Sequence, residues 1–320
     1  MAAGILIGGL LLYFSVRGID FGAVLDTLGT VHVIYIVPIL TLYLLVQFLR
    51  SYRWGILLKP IKEIDQASLF SITSVGFLAI LAVPARVGEL VRPFLLSRKS
   101  DVTMASALGT IFIERIFDVL TILAILFFLI PFAPIPGWLS SSGMVSLSLV
   151  LAVMAVIIPR FTRERAIRIL GKLPARLRLL HNWAVQFDRG LSVMSSTGQV
   201  LLVFVLSLTI WLLQAFSLYI LFLAFNFSLP PQAALVLLVV IIIGIAVPAA
   251  PGFIGNWHFA CVAALALFGI PKNLALSYAI LSHFLGTIMC IFLGLMFLPA
   301  NKISFRDLDG IRTLLKGGAK

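Results

Sequence analysis

Two similar helix breaks, each set inside an apolar stretch, constrain this chain more than any other feature. The first reads Pro84-Ala-Arg86-Val-Gly88-Glu89; the second reads Pro248-Ala-Ala-Pro-Gly252 and lacks the charges. At one constant shift Ala82/Ala246, Val83/Val247, Pro84/Pro248, Ala85/Ala249 and Gly88/Gly252 coincide. At nearly the same shift Gln66-Ala-Ser-Leu69 faces Gln232-Ala-Ala-Leu235, and Gln47 and Tyr52 face Gln214 and Tyr219. Proline removes a backbone donor and glycine frees the backbone, so each break interrupts a helix. A duplicated unit broken at membrane depth is a layout of transporters, whereas an enzyme needs only one site.

The medium around those breaks follows from composition. Of 320 residues 61% are hydrophobic and 11% charged, more apolar surface than a soluble domain can bury. The apolar residues run continuously rather than alternating, which excludes a β-barrel. Runs at roughly 3–16, 31–52, 68–83, 103–132, 138–158, 199–224, 233–247, 254–268 and 274–298 read as helices. Those at 68–83, 233–247 and 254–268 are short for a span of about 20 residues and each touches a break, so they read as arms of re-entrant hairpins. Residues 88–99, too polar for lipid contact, are the return arm of the first. The expected fold is an all-α polytopic membrane protein with about six to eight transmembrane helices plus two re-entrant hairpins. Residues 1–320 form a single membrane domain with an inverted internal repeat, repeat one about 31–132 and repeat two about 199–298.

The net charge of +12 is concentrated in residues 159–198, where eight arginines and lysines face Glu164 and Asp188. Positive-inside asymmetry makes this a basic cytoplasmic loop, and anionic head groups add attraction of about 1 kcal/mol per basic residue. Arg50, Arg53, Lys59 and Lys62 after the second run, and Arg92, Arg98 and Lys99 before the fourth, mark further cytoplasmic ends. The connections at 133–138 and 225–232 carry no charge and face outward; Lys302 and Arg306 place the C-terminus inside. Helices 31–52 and 199–224 then run in opposite directions, which makes the repeats inverted. The expected location is the cell inner (plasma) membrane. Trp54, Trp138, Trp183 and Trp257 lie near predicted helix ends and read as interface anchors.

The first break is the strongest candidate site. Its freed amides and carbonyls suit a polar ligand, Arg86 and Arg92 suit a phosphate, and Glu89 suits an amine, an arginine or a proton. An interfacial turn would need none of this; the repetition of the break favours the site. Glu114 and Asp118, spaced i,i+4 with Arg115 between, share one face of the long fourth helix. Charges at that depth face a polar interior, either as a structural clamp or in contact with substrate. In the second half Pro248, Gly252, Asn256, His258 and His283 are the corresponding substrate-binding candidates, with Ser282 beside His283. Cys261 and Cys290 read as packing residues. No GxxxxGK[ST], HExxH, Cys/His cluster or GxSxG elbow occurs, so no cofactor, metal or nucleophile is expected.

P-x-R-x-G-E-x-x-R at 84–92, E-R-x-x-D at 114–118 and P-G-x-x-G at 251–255 occur in this order. The pattern resembles the lysylphosphatidylglycerol synthase transmembrane, or flippase-like, family, which includes the N-terminal membrane portion of the bacterial multiple peptide resistance factors. Arg86, Gly88, Glu89, Arg92, Arg115 and Asp118 match it. Phe253 stands where relatives often have a second glycine, and His258 where they often have glutamate. The resemblance implies movement of lipids, such as aminoacylated phosphatidylglycerol, between leaflets. The 159–198 segment is too short for the soluble aminoacyl-transferase domain of the full-length factors, so lipid aminoacylation is not expected.

The leading expectation is therefore a lipid translocator and not an enzyme. The alternatives are a membrane-embedded transferase on a lipid-linked substrate, with Glu89 or Asp118 as base, and a scaffold for a lipid-modifying enzyme. Expected partners are membrane lipids, anionic or aminoacylated, with a homodimer or a separate lipid-modifying enzyme as protein assemblies. No basic soluble domain suggests nucleic acid.

Overall fold

The computed structural model describes residues 2–82, 88–133, 197–247 and 250–301, with a few isolated positions between 137 and 186. Nearly all of the run at 138–158 and of the 159–198 segment, together with Arg86, Pro248 and the C-terminal residues beyond 301, lie outside the described residues. Every regular element described is helical. In chain order these are α1 (Ala2–Val16), α2 (Phe21–Gly29), α3 (Ile36–Leu58), α4 (Gln66–Ala82) and α5 (Val91–Lys99). There follow α6 (Met104–Leu129), α7 (Thr197–Ala224), α8 (Pro231–Ala246), α9 (Asn256–Ala266) and α10 (Lys272–Phe297).

Local chemistry sets the helix starts. Asp20 caps α2 by accepting from the Gly22 and Ala23 amides at 2.9 and 3.3 Å. Asp65 accepts from the Ser68 amide at 2.8 Å before α4, and Thr103 from the Ser106 amide at 3.3 Å before α6. Such caps satisfy donors that the first helical turn leaves unpaired. Pro231 occupies the first position of α8, where its missing N–H costs nothing.

By length and composition, three described segments can cross a membrane: Val33–Leu58, Thr197–Ala224 and Lys272–Phe297. The first apolar run is not a straight helix: α1 and α2 meet at 82° and together make one broken span or a re-entrant loop. Helix α6 has the same 26 residues as α10 but carries Glu114, Arg115 and Asp118. Helices α4 and α8 are shorter apolar helices, at 17 and 16 residues. Large apolar side chains such as Phe48, Leu201, Phe216, Phe284, Phe292 and Met296 stand exposed on the long helices. A lipid environment removes the penalty of about 25 cal/mol per Å² that water would exact from them.

The pairing of helices places the interior. Helix α3 packs along α7; α3 also packs on α4, and α7 on α8. Helix α5 lies between α4 and α6, and α9 lies against α8 and α10. Helix α4 packs against α10, and α6 against α7 and α8; α1 covers α9 and α2 covers α10. One apolar core gathers around Trp54, Leu58, Leu69, Ile72, Leu95 and Leu96, a larger one around Phe222, Leu237, Cys261 and Tyr278, and a small third around Leu57, Ile113, Phe117 and Val203. After the first break comes the short helix α5, with Val91, Arg92, Pro93, Leu95 and Leu96 buried.

Two sequence expectations change. Helix α3 does not end near residue 52 but continues to Leu58, so Arg50 and Arg53 sit inside it rather than at its end. Trp54 is not an anchor at the membrane surface: it is fully buried and donates to Thr110 Oγ1 at 3.0 Å. Trp257 likewise turns inward, donating to Ser282 Oγ at 3.1 Å.

Candidate functional site

Helix α6 carries the carboxylates that organise the interior. Glu114 is fully buried and meets three guanidinium groups. Arg92 donates to it from α5 through two bonds of 3.1 Å, Arg115 through one of 2.8 Å, and Arg53 approaches at 3.1 Å. Asp118 faces Arg53 at 2.7 Å and Arg115 at 3.3 Å. It also accepts from the Trp211 indole of α7 at 3.1 Å, while Arg53 donates to Ser207 Oγ at 2.6 Å. Burying such ions requires pairing and hydrogen bonds together, and this cluster supplies both. It ties α3, α5, α6 and α7 to one point.

Beside the cluster lies a cavity of about 230 Å³. Arg50, Glu89, Arg115 and Asp118 give it a charged end, with Gln47, Ser74 and Gln214 nearby in its lining. Leu218, Leu238, Ile241, Ile242 and Ile245 form an apolar wall, and Trp257, Ser282, His283 and Thr287 from α9 and α10 also line it. Its lining therefore comes from both halves of the chain.

The expected site residues divide accordingly. Glu89, Arg115, Asp118 and His283 line the cavity. Arg92 and Glu114 do not: Arg92 spends its fork on Glu114 and rests 4.3 Å from the centre of the Trp54 ring. The phosphate ligand expected of Arg92 is thus replaced by a carboxylate of the protein itself. Gly88 is a packing position, because a Cβ there would overlap the Ala79 backbone of α4.

In the second break Gly252 and Phe253 both hold positive φ, 67° and 59°. Phe253 therefore adopts a glycine conformation at the position where the resembled family often has glycine. The Gly252 carbonyl is 2.7 Å from His283 Nε2. Asn256 does not reach the cavity; its amide donates to the Gly244 and Val247 carbonyls at 2.8 and 3.2 Å, closing the end of α8. His258 packs edge-on to His283 with ring centres 5.0 Å apart.

Arg53 and Arg50 are residues that sequence reasoning placed at a helix end and missed as parts of the site. Their signal was available: Gln47, Arg50, Arg53 and Trp54 recur at helical spacing within one long apolar helix. A polar stripe continued by five further helical residues to Leu58 marks an inward face rather than a helix end.

Exposed apolar helices around a buried, ion-paired interior and an amphipathic cavity define a polytopic integral membrane protein. The chain belongs to the family described as lysylphosphatidylglycerol synthase TM region, whose profile matches residues 1–294. It is 26% identical over 213 residues to a UPF0104 membrane protein of Methanocaldococcus jannaschii, covering 63% of this chain and 86% of the relative. To a UPF0104 membrane protein of Methanothermobacter thermautotrophicus it is 23% identical over 265 residues, 78% of each chain. No solved structure matches it significantly.

Proposed function

We propose that this chain is a lipid translocase, and not an enzyme, that moves a phospholipid or another anionic or aminoacylated lipid between leaflets. The observation that carries this reading is the cavity, charged at one end, apolar along α8 and lined from both halves of the chain. A head group needs the first surface and acyl carbons the second.

The helix order supports an inverted repeat as the frame for alternating access. A long helix, a shorter apolar helix, a break, a short helix and a 26-residue helix occur as α3–α6 and again as α7–α10. The packing partners match as well: α3 on α4 as α7 on α8, α5 on α6 as α9 on α10, and α4 on α10 as α8 on α6. Under this reading about six to eight spans enclose two hairpins that enter from opposite faces, and one half rocks against the other. The chain sits in the plasma membrane with residues 159–198 and the C-terminus cytoplasmic, as its basic residues direct.

Glu89 and Asp118, both in the cavity lining, favour a second reading, a transferase using a carboxylate base. Reconstitution separates the two. Liposomes containing the purified chain and a head-group-labelled phospholipid should expose inner-leaflet label to an impermeant quencher while the lipid keeps its mass. A changed lipid mass supports the transferase; an unmoved lipid of unchanged mass, across anionic and aminoacylated species, removes the translocase reading.

A further inference from the structure

We propose that Arg50 is the ligand of a phosphate oxyanion within the cavity. Of the four arginines in the buried cluster and at the cavity's charged end, Arg53, Arg92 and Arg115 each contact Glu114 or Asp118. Among the described residues no carboxylate lies within ion-pair distance of Arg50. Its guanidinium instead lies over two aromatic rings, 4.9 Å from the centre of Phe77 and 5.8 Å from that of Trp211. Those rings hold the group by cation–π attraction but supply no countercharge. The Trp211 indole N–H is committed to Asp118, which fixes the plane on which Arg50 rests.

A guanidinium without a carboxylate inside a membrane protein is costly, and an anion entering the cavity removes that cost. Its planar fork suits two phosphate oxygens. Gln47, one turn before Arg50, and Gln214, one turn after Trp211, bring neutral amides into the same lining. Asp118 does not cancel the site, because Arg53, Arg115 and Trp211 already hold it. The apolar wall on α8 fits an alkyl portion beyond the phosphate. This deepens the translocase reading and rests on it for the acyl chains; the anion site itself is read by binding alone.

The test uses the full chain in an uncharged detergent, with Trp fluorescence as the readout of binding. The probes are dihexanoylphosphatidylglycerol, the diacylglycerol of equal chain length, and inorganic phosphate. The wild type should bind the phosphatidylglycerol at least about tenfold more tightly than the diacylglycerol, as a charge-assisted pair predicts. Arg50→Gln should lose roughly tenfold or more of that affinity and, without lipid, melt no lower than the wild type. Arg50→Lys, which keeps the charge and loses the fork, should lose about threefold. Inorganic phosphate binding as tightly as the lipid, with the same loss in Arg50→Gln, keeps the anion site and removes the lipid reading. Wild-type affinity in Arg50→Lys and in any folded Arg50→Gln overturns the proposal, as does equal binding of the lipid with and without phosphate.

Discussion

Arg92 grips Glu114 with two bonds of 3.1 Å while its own face rests on Trp54. The pair joins α5 to α6, and α4 makes room for it: a Cβ on Gly76 would overlap the Arg92 stem. Helix α5 is therefore held between α4 and α6 by an ion pair threaded past a glycine, and the stability of that closure can be measured.

Glu114→Gln should destabilise the protein by about 3–5 kcal/mol, because it leaves Arg92 buried without its carboxylate. Thermal melting in detergent measures this. Arg92→Met combined with Glu114→Leu should recover part of the loss, since Arg53 and Arg115 retain Asp118. A double variant weaker than the sum of its parts would contradict the pairing.

Gly76→Ala should cost about 1–3 kcal/mol by overpacking against Arg92. The loss should shrink when Arg92 is replaced by alanine, which removes the stem that the new methyl group meets. A double-mutant cycle on melting free energies reads the coupling.

Phe253→Gly should be tolerated, with a melting point within a few degrees of wild type. Relief of the positive φ, worth about 1–2 kcal/mol, offsets the glycine entropy cost of about 0.5–1 kcal/mol and the lost ring contacts. Gly255→Ala should be clearly destabilising: Gly255 has φ 89°, and a Cβ there would overlap the Gly8 backbone of α1.

Glu89→Gln should abolish lipid movement in liposomes while leaving the protein inserted and folded, because Glu89 lines the cavity. A large fall in melting point would instead make Glu89 part of the scaffold.

Arg165→Cys, in a chain with Cys261 and Cys290 replaced by alanine, should resist an impermeant thiol reagent in intact cells and react after permeabilisation. Labelling from outside would reverse the orientation proposed from the basic residues.

Much of this molecule was legible before any coordinate. The apolar runs gave the helices, and the i,i+4 spacing of Glu114 and Asp118 marked an inward face of α6. What stayed hidden was partnership. Asp118 meets Arg53 across 65 residues of chain, and no local pattern states such a pairing. Arg50, Arg53 and Trp54 carry the chemistry of an interface, so they read as a helix end until α6 supplied the carboxylates and Thr110 a hydroxyl. Gly88 was misleading for the opposite reason: freedom of φ suggested a ligand loop, but the close approach of α4 is what requires it.

The surroundings of the two breaks are held by unlike forces, and that makes the molecule mechanically lopsided. Around the second break the ties are neutral: Asn256 to the Gly244 and Val247 carbonyls, and His283 to the Gly252 carbonyl. Each is worth about 1 kcal/mol net and can be exchanged for another partner. Separating α5 from α6 would part buried ions at about 3–5 kcal/mol. The side-chain ties of the second break therefore cost less to exchange than the ion pairs beside the first, so the end bearing the arginines is the stiffer of the two and the end bearing His283 the more yielding.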